Sequence, residues 1–523
     1  PYLRSGDASP MLPESSVLAR ALDAVRAPGE RLWVTLDARA LDGAITGTQV
    51  HVLELILALA RTGELRLRLL VRARRIDGET LELLRALPET EVLAAEELDP
   101  DTPKSTVFHR PQQAFSPGDV ALATALGERV VLSQLDLIAY RNPGYFADAG
   151  AWQDYRRASR HGLSAADRVV VFSEHSRREL VADALVEDER VRVVPPGLDH
   201  RSPGEARRPA ALDAHSNRGG ADGGTGGTDS LADGFLLCLG TDFQHKNRLF
   251  ALRLLTALRE QHDWQGSLLL AGTHIEHGSS REAEREFLEE HPGLRAAVLE
   301  LGSIDEREKA WLLAHAGAVV YPSTYEGFGL VPFESALGGV PCLFAPQASL
   351  ADAAPDGTAT ILPWDPVESA AAAHALLSDV DARAAHVRAL AGAARELTWA
   401  AAAEAMVGVY REAAAAPVRE AATLSRDVVA RERDLASERA AVVEQLIGER
   451  VHAQRMYDEL SKEVGSGLSL IGPHGTLPEN LQRALLALSA RPALSRPLYG
   501  ALASAFALAR AIGRTVRRLG PGA

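Results

Sequence analysis

Short apolar runs alternate with longer amphipathic stretches over the first 200 residues of the chain. The run LWVTLD at 32–37 is followed by a loop and by VHVLELILALA at 50–60, where apolar residues recur at helical spacing. Further apolar runs predict strands at 66–71, 129–138, 167–173 and 190–197. Strands that alternate with helices indicate a parallel sheet whose strands are joined by crossover helices.

The same alternation begins again at FLLCLG, residues 235–240. Strands are predicted there and at 267–272, 297–302, 318–323 and 340–344. Asp305 followed by Glu308 resembles a capping box, so a helix is expected to begin at that point. The pattern therefore predicts two doubly wound α/β domains, and the cleft between such domains is the expected ligand site.

The segments around these two domains have a different composition. Residues 1–30 are polar, and residues 200–234 are rich in Gly, Ser and Asp, which predicts a flexible linker or insertion. The first domain is then expected at 31–199, the second at 235–412, and an α-helical extension at 413–523.

The extension divides into two stretches. Apolar residues over 413–465 partly fit a heptad, but Arg431, Glu438 and Gln445 occupy the alternate seam positions. A coiled coil that forms a homo-oligomer and a solvated single helix therefore both stay open. The tail at 491–523 has six arginines and no acidic residue. This basic amphipathic pattern is typical of a helix that lies on an anionic membrane surface, and packing on the protein's own surface is the alternative.

Composition limits the class of protein. The 523 residues carry a net charge of −14, which argues against nucleic acid as the main partner. The cysteines, Cys238 and Cys342, both lie in apolar runs, so a reducing compartment fits better than a disulfide framework. No signal peptide and no apolar stretch of roughly 20 residues is visible. We expect a cytoplasmic protein, with peripheral contact at the inner membrane surface through the basic tail.

One stretch combines two carboxylates with a glycine turn: YPSTYEGFGLVPFESALGGVPCLF, residues 321–344. A strand ends before Glu326, and Pro332 suits the first turn of the next helix. Glycines and free N–H groups at a helix start favour a phosphate, and Glu334 and Glu326 could accept hydrogen bonds from two polyhydroxy groups. Helix capping could account for Glu334, but it does not account for Glu326 with its glycines.

The segment EGFGLVPFE at 326–334 resembles the E-x7-E signature of retaining GT-B glycosyltransferases, particularly family 4. Other motifs of that family follow in order: LDARALDGAITGTQVHVLELI at 36–56, PPGLD at 195–199, GTDFQHKN at 240–247, LGSI at 301–304 and ELTW at 396–399. The resemblance covers roughly residues 31–412 and implies the GT-B fold, with two Rossmann-like domains facing a cleft.

The resemblance also implies roles for individual residues. Lys246 is expected to neutralise the donor diphosphate, Glu326 to contact the donor sugar and Glu334 to contact the ribose; Lys246, Glu326 and Asp136 are the expected catalytic residues. A fixed cation is chemically apt, because a departing nucleoside diphosphate gains negative charge. The expected donor-binding residues are Gly47, Thr48, Gly240, Thr241, Lys246, Asn247, Ser303, Ile304, Glu326, Gly327, Phe328, Gly329, Leu330, Val331 and Glu334.

The implied activity is transfer of a sugar from a nucleotide-diphosphate donor to an unidentified acceptor hydroxyl, with retention of configuration and without a metal or cofactor. The acceptor could be a glycan, a lipid-linked sugar or a small molecule. Two alternatives stay open: a GT-B nucleotide-sugar epimerase, and a non-catalytic scaffold that works through its helical carboxy-terminal part.

The chain departs from the family pattern at two points. Arg248 follows the lysine, whereas many relatives carry an arginine alongside it, and Leu135 stands where many relatives have a histidine beside Asp136. The lone loop histidine His109 could supply a polar group, but a structural role is more common. The DxD at 379–381 follows a helix and is predicted to be a solvated turn. No zinc-ligand spacing, GxxxxGK[ST] loop or GxSxG elbow is visible.

Overall fold

The computed structural model describes residues 31–42, 47–199, 205–212, 231 and 234–417. The predictions for residues 1–30, for most of 200–234, and for the coiled coil and basic tail beyond 417 fall outside these ranges. Within them, no helix combines the length and apolarity that crossing a membrane requires.

The first domain is built on a seven-stranded parallel sheet of order β3-β2-β1-β4-β5-β6-β7. Its strands are β1 Leu32–Asp37, β2 Leu65–Val71, β3 Thr90–Ala94, β4 Ser105–Arg110, β5 Gly127–Ser133, β6 Arg168–Val171 and β7 Val191–Val193. Its α-helices are α1 Gly47–Thr62, α2 Gly78–Arg85, α3 Pro117–Leu126, α4 Ile138–Arg141, α5 Ala149–Ala165 and α6 Glu174–Ala182. Short 3-10 turns occupy Arg39–Asp42, Ala95–Glu97, Pro143–Tyr145 and Asp188–Arg190.

The second domain is built on a five-stranded parallel sheet of order β10-β9-β8-β11-β12. Its strands are β8 Phe235–Leu239, β9 Ser267–Ala271, β10 Val298–Gly302, β11 Ala318–Tyr321 and β12 Cys342–Phe344. Its helices are α7 Arg248–His262, α8 Arg281–Glu290, α9 Glu306–His315, α10 Val331–Leu337, α11 Leu350–Ala353, α12 Pro366–Ser378, α13 Val380–Ala394 and α14 Trp399–Ala415. The 3-10 turns here are Gln244–Lys246 and Pro292–Ala297.

Local signals fix several helix starts that matter for the site. The Asp305–Glu308 capping box is present in both directions and begins α9. A second box, Ser116 with Asp119, begins α3. Pro332 lies in the first turn of α10, where its missing N–H costs no hydrogen bond. These caps satisfy backbone donors that a helix start otherwise leaves unpaired.

The last helix returns to the first domain. Trp399 at its start and Tyr410 further along are buried in the same core as the first sheet. Gly197 lies directly against the backbone of Trp399, where an added Cβ would come within 2.3 Å of the tryptophan nitrogen. The ELTW segment at 396–399 and the PPGLD segment at 195–199 therefore pack together.

The strand predictions need two corrections. The run at 129–138 is not one strand, because β5 ends at Ser133 and the chain then turns. Tertiary contacts bury Leu135 and Leu137 in this turn. Their apolar side chains extended the apolar run in the sequence, so the sequence pattern predicted a longer strand. Strands β3 and β4 were not predicted, since charged and polar residues interrupt the apolar pattern of both.

Candidate functional site

A lysine and a glutamate meet at the carboxyl edge of the second sheet. Lys246 ends the 3-10 turn that follows β8, and Glu326 lies in the loop that follows β11. Strands β8 and β11 are neighbours, which brings residues that are 80 positions apart together. The Lys246 Nζ lies 2.6 Å from Glu326 Oε1 and also donates to the Tyr321 hydroxyl at 3.1 Å.

The carboxylate of Glu326 is buried but stays ionised. Burial by itself raises the pKa of this carboxyl. The positive charge of Lys246 and the hydrogen bonds from Lys246 and Ser323 outweigh burial and hold the pKa below its usual value. The site therefore holds a fixed cation and its counter-ion in a partly enclosed setting, where charge interactions are stronger than in water.

The glycines after Glu326 allow a close approach of the first domain. An added Cβ at Gly327 would come within 2.0 Å of the Leu135 carbonyl oxygen. The Gly327 carbonyl in turn accepts a hydrogen bond of 2.8 Å from Ser173 of the first domain. Gly329 has φ +85°, a conformation that glycine adopts without a Cβ penalty. The glycine turn is thus one of the places where the two domains meet.

Glu334 lies in the first turn of α10 and has a partner that the sequence did not indicate. Its Oε2 lies 3.1 Å from Lys309 Nζ on α9, and Lys309 also lies near Glu306. Burial lowers the pKa of Lys309, but the two glutamates outweigh it and raise that pKa. Glu334 is therefore part of an ion pair within the second domain.

Asp136 lies just beyond β5, next to the glycine turn. Its Oδ1 accepts a hydrogen bond of 2.8 Å from the Ile138 N–H. Burial raises the pKa of Asp136 to about 6, and the nearby Glu326 carboxylate adds to the rise, while the Ile138 N–H and Lys246 oppose it. A carboxyl with such a pKa can exchange a proton near neutral pH, which suits acid–base chemistry.

A cluster of rings joins the two domains beside Lys246. The Tyr145 hydroxyl lies 2.8 Å from His245 Nδ1 and accepts the His245 backbone N–H at 3.2 Å. Burial, aided by the charge of Lys246, lowers the pKa of His245 to about 4, so this imidazole is neutral at pH 7. The His245 carbonyl accepts the Thr324 N–H at 2.7 Å. The Lys246 turn is therefore tied both to the first domain and to the loop that carries Glu326.

The remaining predicted donor residues are spread over several elements of the two domains. The Lys246 side chain packs over Gly240, and Asn247 adopts the left-handed conformation at the start of α7. Thr241 pairs with Thr273 through their hydroxyls. Phe328 is buried in the second core, and Leu330 and Val331 begin α10. Ser303 and Ile304 follow β10, whereas Gly47 and Thr48 begin α1 in the first domain.

Other candidates have structural roles. His109 is fully buried between the hydroxyls of Tyr410, at 2.7 Å, and Ser133, at 3.0 Å. The guanidinium of Arg248 points into the core and pairs with Glu284 at 3.2 Å, where both side chains are almost wholly covered. Asp379 caps the amino end of α13, as the predicted turn requires. Across the described ranges no cluster of three or more His, Cys, Asp or Glu could hold a metal ion.

Sequence reasoning missed Tyr145, Lys309 and Tyr321, all of which touch the site. Lys309 lies one turn into a helix, where the sequence pattern predicts a solvated surface residue. Tyr321 ends a strand, and its apolar neighbours suggested only a core role. The position of Tyr321 at the carboxyl end of β11 was the one usable signal, because ligands bind at that edge of parallel sheets.

Two parallel, doubly wound sheets that meet at their carboxyl edges, with a fixed lysine at the contact, define the GT-B architecture. Residues 230–388 match the family described as Glycosyl transferases group 1. The chain is 28% identical over 259 residues to D-inositol 3-phosphate glycosyltransferase of Corynebacterium kroppenstedtii, covering 47% of this chain and 54% of that relative. The Nocardiopsis dassonvillei enzyme of the same name is 30% identical over 260 residues, covering 47% and 56%.

Solved structures agree with this architecture. Sucrose-phosphate synthase from Thermosynechococcus elongatus superposes with a TM-score of 0.51 at 20% identity, covering 73% of this chain and 99% of that chain. Anabaena HepE in complex with UDP-glucose also gives a TM-score of 0.51, at 16% identity, covering 73% and 100%. At such identities the likeness establishes the fold alone. The matched region spans only about half the length of each curated relative.

Proposed function

We propose that this protein is a retaining glycosyltransferase that moves a sugar from a nucleoside-diphosphate donor to an acceptor hydroxyl without a metal. The observation that carries the proposal is the Lys246–Glu326 pair, 2.6 Å apart, on the edge of the second sheet that faces Asp136. Lys246 would stabilise the departing diphosphate, whose negative charge grows during transfer. Glu326 would then hold a hydroxyl of the donor sugar.

The loop from Gly327 to Leu330 would carry the phosphates at the amino end of α10, since helix starts favour anions. Glu334 would bind the ribose. A carboxylate has about four lone-pair sites, so the Lys309 bond to Oε2 leaves capacity for a diol. Lys309 would fix the orientation of this carboxylate before the nucleotide arrives, which lowers the cost of binding.

The acceptor would enter from the first-domain side and attack on the face that the diphosphate leaves, with the departing phosphate taking the acceptor proton. No carboxylate nucleophile is then required. Asp136, with its pKa near 6, would hold a hydroxyl of the reacting sugar. The close contact of Gly327 with Leu135 would exclude water from the reaction and limit donor hydrolysis.

The acceptor that the relatives' names specify is not assigned to this chain. Their names specify inositol 3-phosphate, a phosphorylated polyol, but they share only about half of their length with this chain. The two domains of a glycosyltransferase of this kind play separate parts.

A calorimetric screen of nucleotide sugars tests the donor site. One nucleotide class should bind, and Lys246→Ala and Glu326→Ala should each weaken binding at least tenfold, the loss expected for a charged hydrogen bond of about 1.5–3 kcal/mol. Lys104→Ala is the matched control, because this exposed lysine bonds to the Thr124 carbonyl in the first domain. Equal affinities for all variants would refute the proposed diphosphate and sugar contacts.

The reaction type needs separate measurements. NMR of the product anomer reports retention, and unchanged activity in a chelator reports metal independence. Epimerised donor in the absence of any acceptor would favour the epimerase alternative instead. An intact protein that binds no nucleotide sugar would favour the scaffold.

A further inference from the structure

One imidazole nitrogen at the candidate site makes no bond within the protein. His245 directly precedes Lys246 in the 3-10 turn Gln244–Lys246. Its Nδ1 lies 2.8 Å from the Tyr145 hydroxyl, whereas none of the described residues bonds to its Nε2. Nε2 is also not one of the fully covered polar atoms that lack a partner. The function proposed above gives this nitrogen no part.

The imidazole is held in one orientation from the first domain. The Tyr145 hydroxyl bonds to both the ring and the backbone N–H of His245. An added Cβ at Gly278 would come within 2.4 Å of the Tyr145 ring, so this ring fits closely against the glycine. The Phe243 ring lies 5.3 Å from that of Tyr145 and stacks on that of His245 at 5.4 Å. The His245 ring is therefore ordered before a ligand binds, which lowers the cost of binding.

The same hydrogen bonds assign the tautomer of His245. The Tyr145 oxygen accepts the His245 backbone N–H at 3.2 Å, and its own hydrogen has no acceptor other than Nδ1 among the residues that the structure describes. Nδ1 then accepts, and a neutral imidazole carries its hydrogen on Nε2. Burial and the charge of Lys246 lower the pKa of His245 to about 4, so the ring is neutral at pH 7. Nε2–H is thus an uncharged donor.

This donor lies among the carboxylates of both domains. The His245 carbonyl lies 3.2 Å from the Ser323 hydroxyl, which also bonds to Glu326 Oε1. The charge of Glu326 raises the pKa of the imidazole, although burial outweighs it. The charges of Asp136 and Glu326, together with burial, raise the pKa of the Tyr145 hydroxyl. The pair of rings therefore stands next to the two acids proposed to hold the reacting sugar.

A sugar hydroxyl both donates and accepts a hydrogen bond, whereas an ionised carboxylate only accepts. Glu326 is ionised, and Asp136, with a pKa of about 6, is mostly ionised at pH 7. These two acids can receive hydroxyl hydrogens but give nothing to hydroxyl oxygens. Lys246 is the cation proposed for the diphosphate. An uncharged Nε2–H beside the acids supplies the donor that a hydroxyl oxygen needs.

We infer that His245 donates from Nε2 to a hydroxyl oxygen of the donor's sugar and that Tyr145 fixes the tautomer that makes this bond possible. The inference rests on the proposed glycosyltransferase function and adds two residues to it. His245 contacts the substrate, and Tyr145 acts as a positioning residue. The first domain then contributes to recognition of the donor sugar through Tyr145 without touching that sugar.

Binding of nucleotides with and without the sugar tests this inference. Calorimetry on the intact protein uses matched probes: UDP-glucose and UDP-N-acetylglucosamine with UDP, GDP-mannose with GDP, and ADP-glucose with ADP. An Asn amide nitrogen takes the place of Nδ1 but leaves nothing at Nε2. His245→Asn should therefore weaken the nucleotide sugar about five- to tenfold and change the matching diphosphate by less than about twofold. His315→Asn, an exposed histidine at the end of α9, is the control and should change neither.

Two further variants separate a sugar contact from a structural role. A Gln amide nitrogen reaches the place of Nε2, so His245→Gln should recover most of the affinity for the nucleotide sugar. Tyr145→Phe frees the other tautomer and should weaken the nucleotide sugar but not the diphosphate, which keeps the test open if His245→Asn does not fold in thermal melts.

The outcomes distinguish this inference from the function on which it rests. Equal weakening of nucleotide sugar and diphosphate, or unchanged binding of both in His245→Asn and Tyr145→Phe, would overturn the inference alone. An unmodified protein that binds none of the nucleotide sugars would reject the proposed function and the inference with it.

Discussion

The substitution Gly327→Ala tests whether the contact between the glycine turn and the first domain sustains activity. Gly327 directly follows Glu326 and lies against Leu135 and Asp136. The new methyl group would face backbone of the other domain rather than a flexible side chain. We expect either the domains to separate locally or the Glu326 loop to shift away from Lys246.

The structure sets the size of the effect. The added Cβ would lie 2.0 Å from the Leu135 carbonyl oxygen, so it must move by at least 1.0 Å to reach the 3.0 Å floor of real Cβ contacts. Overpacking of this kind costs about 1–3 kcal/mol. Since about 1.4 kcal/mol corresponds to a factor of ten, kcat/KM should fall roughly 5- to 150-fold.

The assay measures kcat/KM for transfer from the donor found by calorimetry, together with the donor Kd and the thermal unfolding curve. Gly392→Ala is the control, because Gly392 lies in helix α13 with no atom within 4 Å of its added Cβ. This control should keep full activity and gain up to about 1 kcal/mol of stability from the removed helix glycine.

Full activity in Gly327→Ala would show that catalysis does not require the contact between Gly327 and Leu135. A variant that unfolds at the assay temperature would also count against the reasoning. The interpretation requires a folded protein with a misplaced loop.

Three further predictions concern charge and hydrogen bonding. Because the folded state raises the pKa of Asp136 from 3.8 to about 6, the free energy of unfolding relative to Asp136→Asn should fall as pH rises from about 4 to 6 and then level off, as measured by thermal melts across pH. Tyr145→Phe removes both hydrogen bonds to His245 and should weaken donor binding about five- to tenfold by calorimetry. Glu284→Ala leaves buried Arg248 unpaired and should lower the free energy of unfolding by about 3–5 kcal/mol in urea titrations.

Two of these predictions have an internal check. Tyr410→Phe removes the hydroxyl that bonds His109, in the first core, and should lower stability by about 1 kcal/mol with no change in donor affinity. If Tyr145→Phe behaved in the same way, the link from the first domain to the Lys246 turn would be structural only. A pH profile of Asp136→Asn that matches the unmodified protein would place the pKa of Asp136 at its ordinary value.

The sequence predicted much of the second domain because its signals are local. Its strand runs at 235–240, 267–272 and 318–323 are continuously apolar, as parallel strands covered on both faces must be. The Asp305–Glu308 box lies within four residues, so its hydrogen bonds depend on nothing distant. The turn after β5 was misread for the opposite reason, since distant contacts bury Leu135 and Leu137.

The sequence by itself determined which residue types stand at the ends of strands and the starts of helices, including Lys246, Glu326 and Glu334. Only the tertiary structure decided their partners: Lys246 with Glu326, Glu334 with Lys309, and Gly327 against Leu135. The physical reason is the separation along the chain over which each kind of interaction acts. Caps, turns and periodicity act over a few residues along the chain, whereas an ion pair or a close backbone contact depends on which strands become neighbours in the sheet.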